Sequence, residues 1–297
     1  MDLQKTLLLG FIAGVTIVLG LPIARVRRPM PNVRLMLNAV AIGILLFLVW
    51  DVLSHAWEPI DGALAAHHNH EGGLGPAFKY GAWFVAGLSV GLLSLVGYER
   101  YMHKLAGRNA EPQFGPGAMS VHEASALRAG RGLKGLAAWS PARRLALLIA
   151  VGIGLHNFAE GLAIGQSAAS NEVALATLLV IGFALHNATE GFGIVAPLTG
   201  DLDETGERRR PSWPFLLGLA LIGGGPTFLG TWVGHGFTNE TVSVVFLTLA
   251  AGSIIYVITQ LITVAAKSKR ADLLAYGMLI GLLAGFITDA VVTAAGV

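Results

Sequence analysis

Long apolar stretches, each close to the length of a membrane-crossing helix, recur along almost the whole chain. A helix needs about 20 apolar residues to cross the hydrocarbon core of a bilayer. The stretches are continuously apolar rather than alternating, and a helix satisfies its own backbone in lipid, so the pattern predicts helices. The eight predicted spans are 5–24, 35–55, 78–98, 145–168, 173–198, 213–236, 241–265 and 272–295. We therefore expect an all-α integral membrane protein, with the first span belonging to the mature fold rather than to a signal peptide.

The composition agrees with a protein whose main solvent is lipid. Hydrophobic residues make up 54% of the 297 residues and charged residues only 13%, whereas about a quarter of a soluble domain is charged. The 39 glycines are spread through the apolar stretches, where small residues let helices approach closely. The chain has no cysteine, which excludes disulfides, iron–sulfur clusters and thiolate copper sites.

The basic residues are segregated between the connections. All but Lys5 and Lys79 of the 20 Lys and Arg residues fall in the first, third, fifth and seventh connections. Because cytoplasmic loops carry the excess of Lys and Arg, these connections are predicted to be cytoplasmic and both termini to lie outside. The net charge of +2 therefore reflects membrane topology and not a nucleic-acid partner. The predicted location is the cell (inner or plasma) membrane, with multiple crossings.

The third connection, residues 99–144, is the only long one. It is rich in Gly, Ala, Pro and Arg, so it is predicted to be a flexible cytoplasmic loop without a folded domain. It separates the first three spans, within 1–98, from the last five, within 145–297. Together these form a single membrane domain.

A polar hexad, His-Asn-x-x-Glu-Gly, occurs in both the fourth and the fifth span. It begins at His156 and again at His186, thirty residues later. Residues four apart lie on one face of a helix, so each His is placed beside the Glu of its own hexad. Both histidines are near the middle of their antiparallel spans. The sequence therefore predicts that the six polar side chains meet near the membrane midplane; they are His156, Asn157, Glu160, His186, Asn187 and Glu190.

Two carboxylates within lipid cost several kcal/mol each. A divalent cation offsets this cost, since carboxylate oxygen and imidazole nitrogen are ligands for zinc, iron and manganese. Two other interpretations remain open at this point. The side chains could hydrogen-bond to one another and hold the helices together, or they could relay protons without a metal.

The hexads resemble the signature of the ZIP (Zrt/Irt-like) family of divalent-metal transporters, and the segment 250–257 is similar to the family's seventh span. The resemblance implies eight spans with both termini outside. It also implies an inverted 3+2+3 repeat, in which spans one to three and six to eight are related around the fourth and fifth. Transport toward the cytoplasm, by an elevator-like movement of one bundle against the other, is the implied activity.

The resemblance also implies roles for individual residues. His156, Glu160 and Glu190 would bind one metal ion, with His186 at a position that the family fills variably. Asn157 and Asn187 would belong to an adjacent second site that both glutamates bridge.

The sequence departs from the family pattern at several of these positions. Ala159 and Thr189 replace the proline of the hexad, so the two helices are expected to be straighter. Gly225 stands before Pro226 where the family commonly has a Glu ligand of the second site, and Gln260 stands where an acid is frequent. A mononuclear site follows as a hypothesis.

Further polar residues suggest a path of approach to this site. Asp51 and His55 are four residues apart near the end of the second span, and Asp51 falls where the family usually has a His. They are predicted ligands along the path, or else ordinary interfacial residues. The predicted outer loop 59–76 carries three histidines that could collect cations loosely, namely His67, His68 and His70. Asp289, in the eighth span, has no predicted partner.

These observations favour a transporter of divalent transition-metal ions, zinc first, and not an enzyme. Iron, manganese, cobalt and cadmium fit the same donors. The alternatives are an intramembrane metallohydrolase, which needs an open metal position and a general base, and a non-transporting metal sensor. The expected partners are the metal itself, as cargo rather than cofactor, and the lipid bilayer; a homodimer is left open.

Overall fold

A computed structural model describes residues 1–25, 31–106, 139–195, 197–198, 201, 210–266 and 268–294. The described residues form helices joined by short turns and contain no strand. The helices are α1 (Leu3–Val15), continued by a 3₁₀ segment (Thr16–Arg25), α2 (Pro31–His68), α3 (Gly75–Ala106), α4 (Pro141–Ala169), α5 (Val173–Val195), α6 (Trp213–Gly234), α7 (Glu240–Ala266) and α8 (Ala271–Ala294).

Within the described residues, seven helical stretches are long and apolar enough to cross a membrane by length and composition. They correspond to α1 with its 3₁₀ continuation and to α2, α3, α5, α6, α7 and α8. Helix α4, the helix of the first hexad, is 29 residues long and lies among them. It begins where Ser140 accepts a hydrogen bond from the Arg143 N–H and Pro141 takes the first turn, a combination typical of helix starts.

The predicted boundaries are wrong for α2 and α3. The span predicted to end at residue 55 continues as a helix to His68, so most of the predicted loop 59–76 is helical. Pro59 does not end α2, because Ala63, Ala65 and Ala66 are strong helix formers that follow it. Helix α3 likewise extends to Ala106, into the predicted third loop. Residues 107–138 of that loop lie outside the described residues, and its last residues, 141–144, already belong to α4.

The helices sort into two groups by their contacts. Helices α1, α4, α5 and α6 pack on one another, with α4 against α6 the most extensive contact. Helices α2, α3, α7 and α8 form the second group, through α2 against α8 and α3 against α7. Because both hexads lie in the first group, we call it the hexad bundle and the second the companion bundle.

Glycines set the spacing inside the hexad bundle. A Cβ atom at Gly161 of α4 would overlap the backbone carbonyl of Thr227 in α6, and one at Gly230 of α6 would overlap that of Phe158. Gly14 of α1 and Gly224 of α6 approach each other in the same way. Backbones at this distance leave no room for side chains, so α4, α6 and α1 are closely locked together.

Aliphatic side chains fill the contact between the two bundles. Ile42, Leu45 and Leu48 of α2 pack in one buried cluster with Leu179 and Phe183 of α5. Helices α4 and α7 contribute to the same cluster. The bundles therefore meet through side chains, whereas α4, α6 and α1 of the hexad bundle also approach one another backbone to backbone at their glycines.

Candidate metal centre

The two hexads face each other across α4 and α5, and all six of their polar side chains are buried. The exposed fraction is 3% for His156, 1% for His186 and 5% for Glu190, and it is zero for the other three. Helix α4 places the His, Asn and Glu of the first hexad on the side that meets α5. The structure thus buries all six residues, and the contacts described next bring the two histidines and two glutamates together.

Each imidazole lies beside the carboxylate of the opposite helix. His156 Nε2 is 2.8 Å from Glu190 Oε1, and His186 Nε2 is 3.3 Å from Glu160 Oε1. Glu190 Oε1 also lies 3.9 Å from His186 Nε2. The sequence indicates that His and Glu pair within each hexad, four residues apart. The structure adds His–Glu pairs between the hexads, and these connect α4 to α5.

The two His–Glu pairs between the hexads, called cross-pairs here, differ in hydrogen bonding. His156 and Glu190 form a buried hydrogen bond. His186 Nε2 and both oxygens of Glu160 have no hydrogen-bond partner, although all are buried. The other ring nitrogen of His186, Nδ1, lies 3.2 Å from the carbonyl of Gly182. A buried carboxylate with no hydrogen bond is unfavourable unless a cation or another donor is near.

Three of the side chains offer their donor atoms at metal-binding distances. One ligand atom each from His156, Glu160 and His186 can be chosen so that all lie within 4.8 Å of one another. Tetrahedral ligands about 2 Å from a shared zinc ion are about 3.3 Å apart, so these donors would draw closer together around an ion. Glu190 Oε1 is close to both imidazoles and completes a set of two nitrogen and two carboxylate donors.

The two asparagines hold neighbouring helices. Asn157 Nδ2 donates to the Gly223 carbonyl of α6 at 3.0 Å and lies 3.5 Å from Glu190 Oε2. Asn187 Nδ2 donates to the Ala13 carbonyl of α1 at 2.9 Å. The amide nitrogens therefore fix α6 and α1 around the centre. Their side-chain oxygens are without hydrogen bonds, so both remain able to accept.

A polar vestibule lies between the bundles, near the end of α4 and the start of α5. It consists of two adjoining cavities of about 540 and 620 Å³ that share His55, Glu58 and Glu172 in their walls. Tyr80, Gln166 and Glu240 also line the first cavity. We use the name polar vestibule for the space bounded by these six residues.

Asp51 and His55, the predicted approach-path residues, lie on the helix face that leads to the vestibule. His55 lines both cavities, whereas Asp51 is 5% exposed, with Oδ1 3.7 Å from His55 Nδ1. Leu48, one turn deeper on α2, packs on Gly182 of α5, which is one turn from His186. This face of α2 therefore runs from the vestibule toward the hexads.

Glu172 and Glu240 were missed by sequence reasoning. Glu172 lies in the turn between α4 and α5 and Glu240 at the start of α7, so no local spacing connects them with α2. Glu58 could have been found, because it continues the spacing of Asp51 and His55 by three residues. Partial burial raises the pKa of the Glu172 carboxyl; His55 lowers it and Glu58 raises it.

The remaining predicted residues lie elsewhere. His67 and His68 are at the exposed end of α2 and His70 is in the following turn; none of the three lines the two cavities. Asp289 is partly buried on α8, the helix that packs on α2.

No protein-family model matches the chain, and no curated protein is significantly similar to it. Function is therefore inferred from the residues and their geometry.

Proposed function

We propose that this protein is a multi-spanning membrane transporter that carries divalent transition-metal ions through the buried centre between α4 and α5. The observation that carries the proposal is the pair of hydrogen-bond-free Glu160 oxygens among imidazole nitrogens of two helices. This geometry favours a bound cation over the two alternatives, in which the side chains only hold the helices together or relay protons without a metal. Of the two cross-pairs, only His156 with Glu190 is hydrogen-bonded, whereas Glu160 Oε1 lies 3.3 Å from His186 Nε2 and has room for a cation as a closer partner.

The donor set favours zinc and similar ions. Imidazole and carboxylate together bind zinc, iron(II), manganese, cobalt and cadmium, while calcium and magnesium prefer oxygen ligands alone. Two imidazoles and two carboxylates would neutralise the charge of one divalent ion. Since Gly225 offers no carboxylate where the ZIP pattern has a second-site Glu, we propose one ion per chain.

The two-bundle arrangement supports alternating access. The hexad bundle is locked by glycine contacts, and its boundary with the companion bundle is made of aliphatic side chains that can slide. The resemblance to ZIP transporters suggests the same movement and inward transport. With eight spans and basic odd-numbered connections, the vestibule would open outside and both termini would be external.

Uptake into proteoliposomes tests the proposed transport. Purified wild-type protein is expected to carry ⁶⁵Zn²⁺ into vesicles, and His156→Ala and Glu190→Ala are expected to reduce the flux to that of empty liposomes. His235→Ala is the matched control, because His235 follows α6 away from the hexads, and it should retain wild-type flux. Equal flux in all four proteins would exclude the centre as the transport site.

Metal content tests the mononuclear hypothesis. Purified protein dialysed against zinc at a concentration near its own is expected to hold one tightly bound ion per chain, measured by mass spectrometry. The reason is that only one complete set of imidazole and carboxylate donors is present in the centre. Two tightly held ions, both lost in Glu190→Ala, would show instead that the asparagine oxygens complete a second site.

A further inference from the structure

The repeat that contains the two hexads also includes a glycine one turn before each histidine. Gly152 lies four residues before His156, and Gly182 lies four residues before His186. Residues four apart share a helix face, so each glycine lies on the same face as its histidine. Because α4 and α5 are antiparallel, the two glycines lie on opposite sides of the candidate metal centre. Gly182 is on the side of the polar vestibule, where α5 begins, and Gly152 is on the other side, where α4 begins.

One side chain of the companion bundle covers each of these glycines. A Cβ atom built at Gly182 would lie 2.7 Å from Leu48 Cδ2 of α2. One built at Gly152 would lie 3.2 Å from Tyr98 Cε1 of α3. Both contacts cross the boundary between the two bundles. The missing Cβ of each glycine thus makes room for a side chain from the other bundle, one turn from a histidine of the centre.

The companion bundle holds both covering side chains in place. Leu48 is 1% exposed and belongs to the buried aliphatic cluster between the bundles. Tyr98 is half-buried and is followed by Glu99. The Oε2 atom of Glu99 accepts hydrogen bonds from the Tyr256 hydroxyl at 2.8 Å and from Gln260 Nε2 at 3.2 Å, both on α7. These bonds tie the end of α3 to α7, so Tyr98 is fixed to the companion bundle.

We propose that Leu48 and Tyr98 are the two gates of the candidate metal centre, one on each side of it. Leu48 closes the side of the polar vestibule, and Tyr98 closes the side where α4 begins. The inference rests on the proposed function for what passes the gates, and it adds the residues that close the path. A shift of the hexad bundle carries both glycines away from the side chains that cover them. Opening at either glycine exposes the centre on that side alone.

Thiol modification from each face of the membrane tests the two gates. The chain has no cysteine, so His156→Cys places a single thiol in the centre. A methanethiosulfonate reagent that does not cross membranes then reports access from one face, with intact cells presenting one face and inside-out vesicles the other. On this background Tyr98→Ala should speed the reaction roughly tenfold or more from the face where α4 begins, and less than about twofold from the other face. Leu48→Ala should show the reverse preference.

Exposed residues of α8 supply the matched controls. Tyr276→Ala and Leu283→Ala remove the same side chains at positions that are 63% and 50% exposed, and both should leave the reaction from either face unchanged. Tyr98→Phe keeps the ring carbons that cover Gly152 and should react like the parent. If Tyr98→Ala does not fold, Tyr98→Val replaces it, because valine also lacks those ring carbons.

The direction of the acceleration separates a gate from loosened packing. A substitution that only loosens the fold would speed the reaction from both faces. That result, or no acceleration from either face, would overturn the proposal. The reaction requires no zinc, so failure of the proposed transport would be seen separately, as absent ⁶⁵Zn²⁺ flux in a protein whose two gates respond as expected.

Discussion

Leucine in place of Gly161 is expected to prevent the hexad bundle from assembling. A Cβ at this position would overlap the carbonyl oxygen of Thr227 and lie 2.9 Å from the Thr231 nitrogen. Both are backbone atoms of α6, so no side-chain rotation can relieve the contact. Overpacking a core typically costs about 1–3 kcal/mol, and separating two backbones is expected to exceed that range. The variant should be recovered mainly as aggregate in size-exclusion chromatography.

Gly218 provides the matched control. It lies on α6, and a Cβ built there meets nothing within 4 Å. Gly218→Leu should therefore elute as a single species and melt at or above the wild-type temperature, since leucine is the better helix former. A well-folded Gly161→Leu protein with wild-type zinc binding would mean that α4 and α6 are not held at the distance described.

Glutamine in place of Glu160 is expected to change zinc affinity and metal-free stability in opposite directions. Removing the charged ligand should weaken zinc binding by at least ~100-fold, more than the loss of a supporting group alone. Without metal, the substitution removes a buried charge whose nearest donor, His186 Nε2, lies 3.3 Å away without a hydrogen bond, and the melting temperature should rise. Equilibrium dialysis with zinc and thermal melting in chelator measure the two effects.

The sign of the stability change separates two roles for Glu160. If the pairing of His186 with Glu160 served only to hold the helices together, glutamine would lower the melting temperature in chelator. Zinc would then have little effect on either protein. Glu71→Gln, at an exposed position beyond α2, controls for the loss of one negative charge and should leave both measurements unchanged.

The all-helical, membrane-compatible architecture could be predicted because apolar length is a strong signal. Spans near 5–24, 173–198, 213–236, 241–265 and 272–295 have helices at nearly the predicted bounds. The ends of α2 and α3 could not be placed, because residues 59–68 and 99–106 are polar enough for a loop yet rich in helix formers. Pro59 lies inside α2 and does not end it, although proline is unfavourable in a helix interior.

The residues of the candidate metal centre could be predicted from the sequence, but the hydrogen bonds between them could not. A repeated hexad on adjacent antiparallel helices indicates which side chains meet, and the structure buries all six and pairs the two histidines with the two glutamates. That His156 hydrogen-bonds Glu190 while Glu160 has no such bond depends on helix rotation of a few degrees, which a sequence pattern does not specify. The engagement of Asn187 with the Ala13 carbonyl likewise requires the position of α1.

All four charged or imidazole donors reside on α4 and α5, two neighbours within one closely locked group. In the proposed transport, the ion would thus cross the bilayer together with the hexad bundle and keep the same ligands throughout. It would not pass from one set of ligands to the next. Turnover would then depend on how readily the aliphatic boundary shears, and so on the thickness and fluidity of the surrounding lipid. Metals that exchange ligands slowly would be delayed at loading and release, not during the crossing itself.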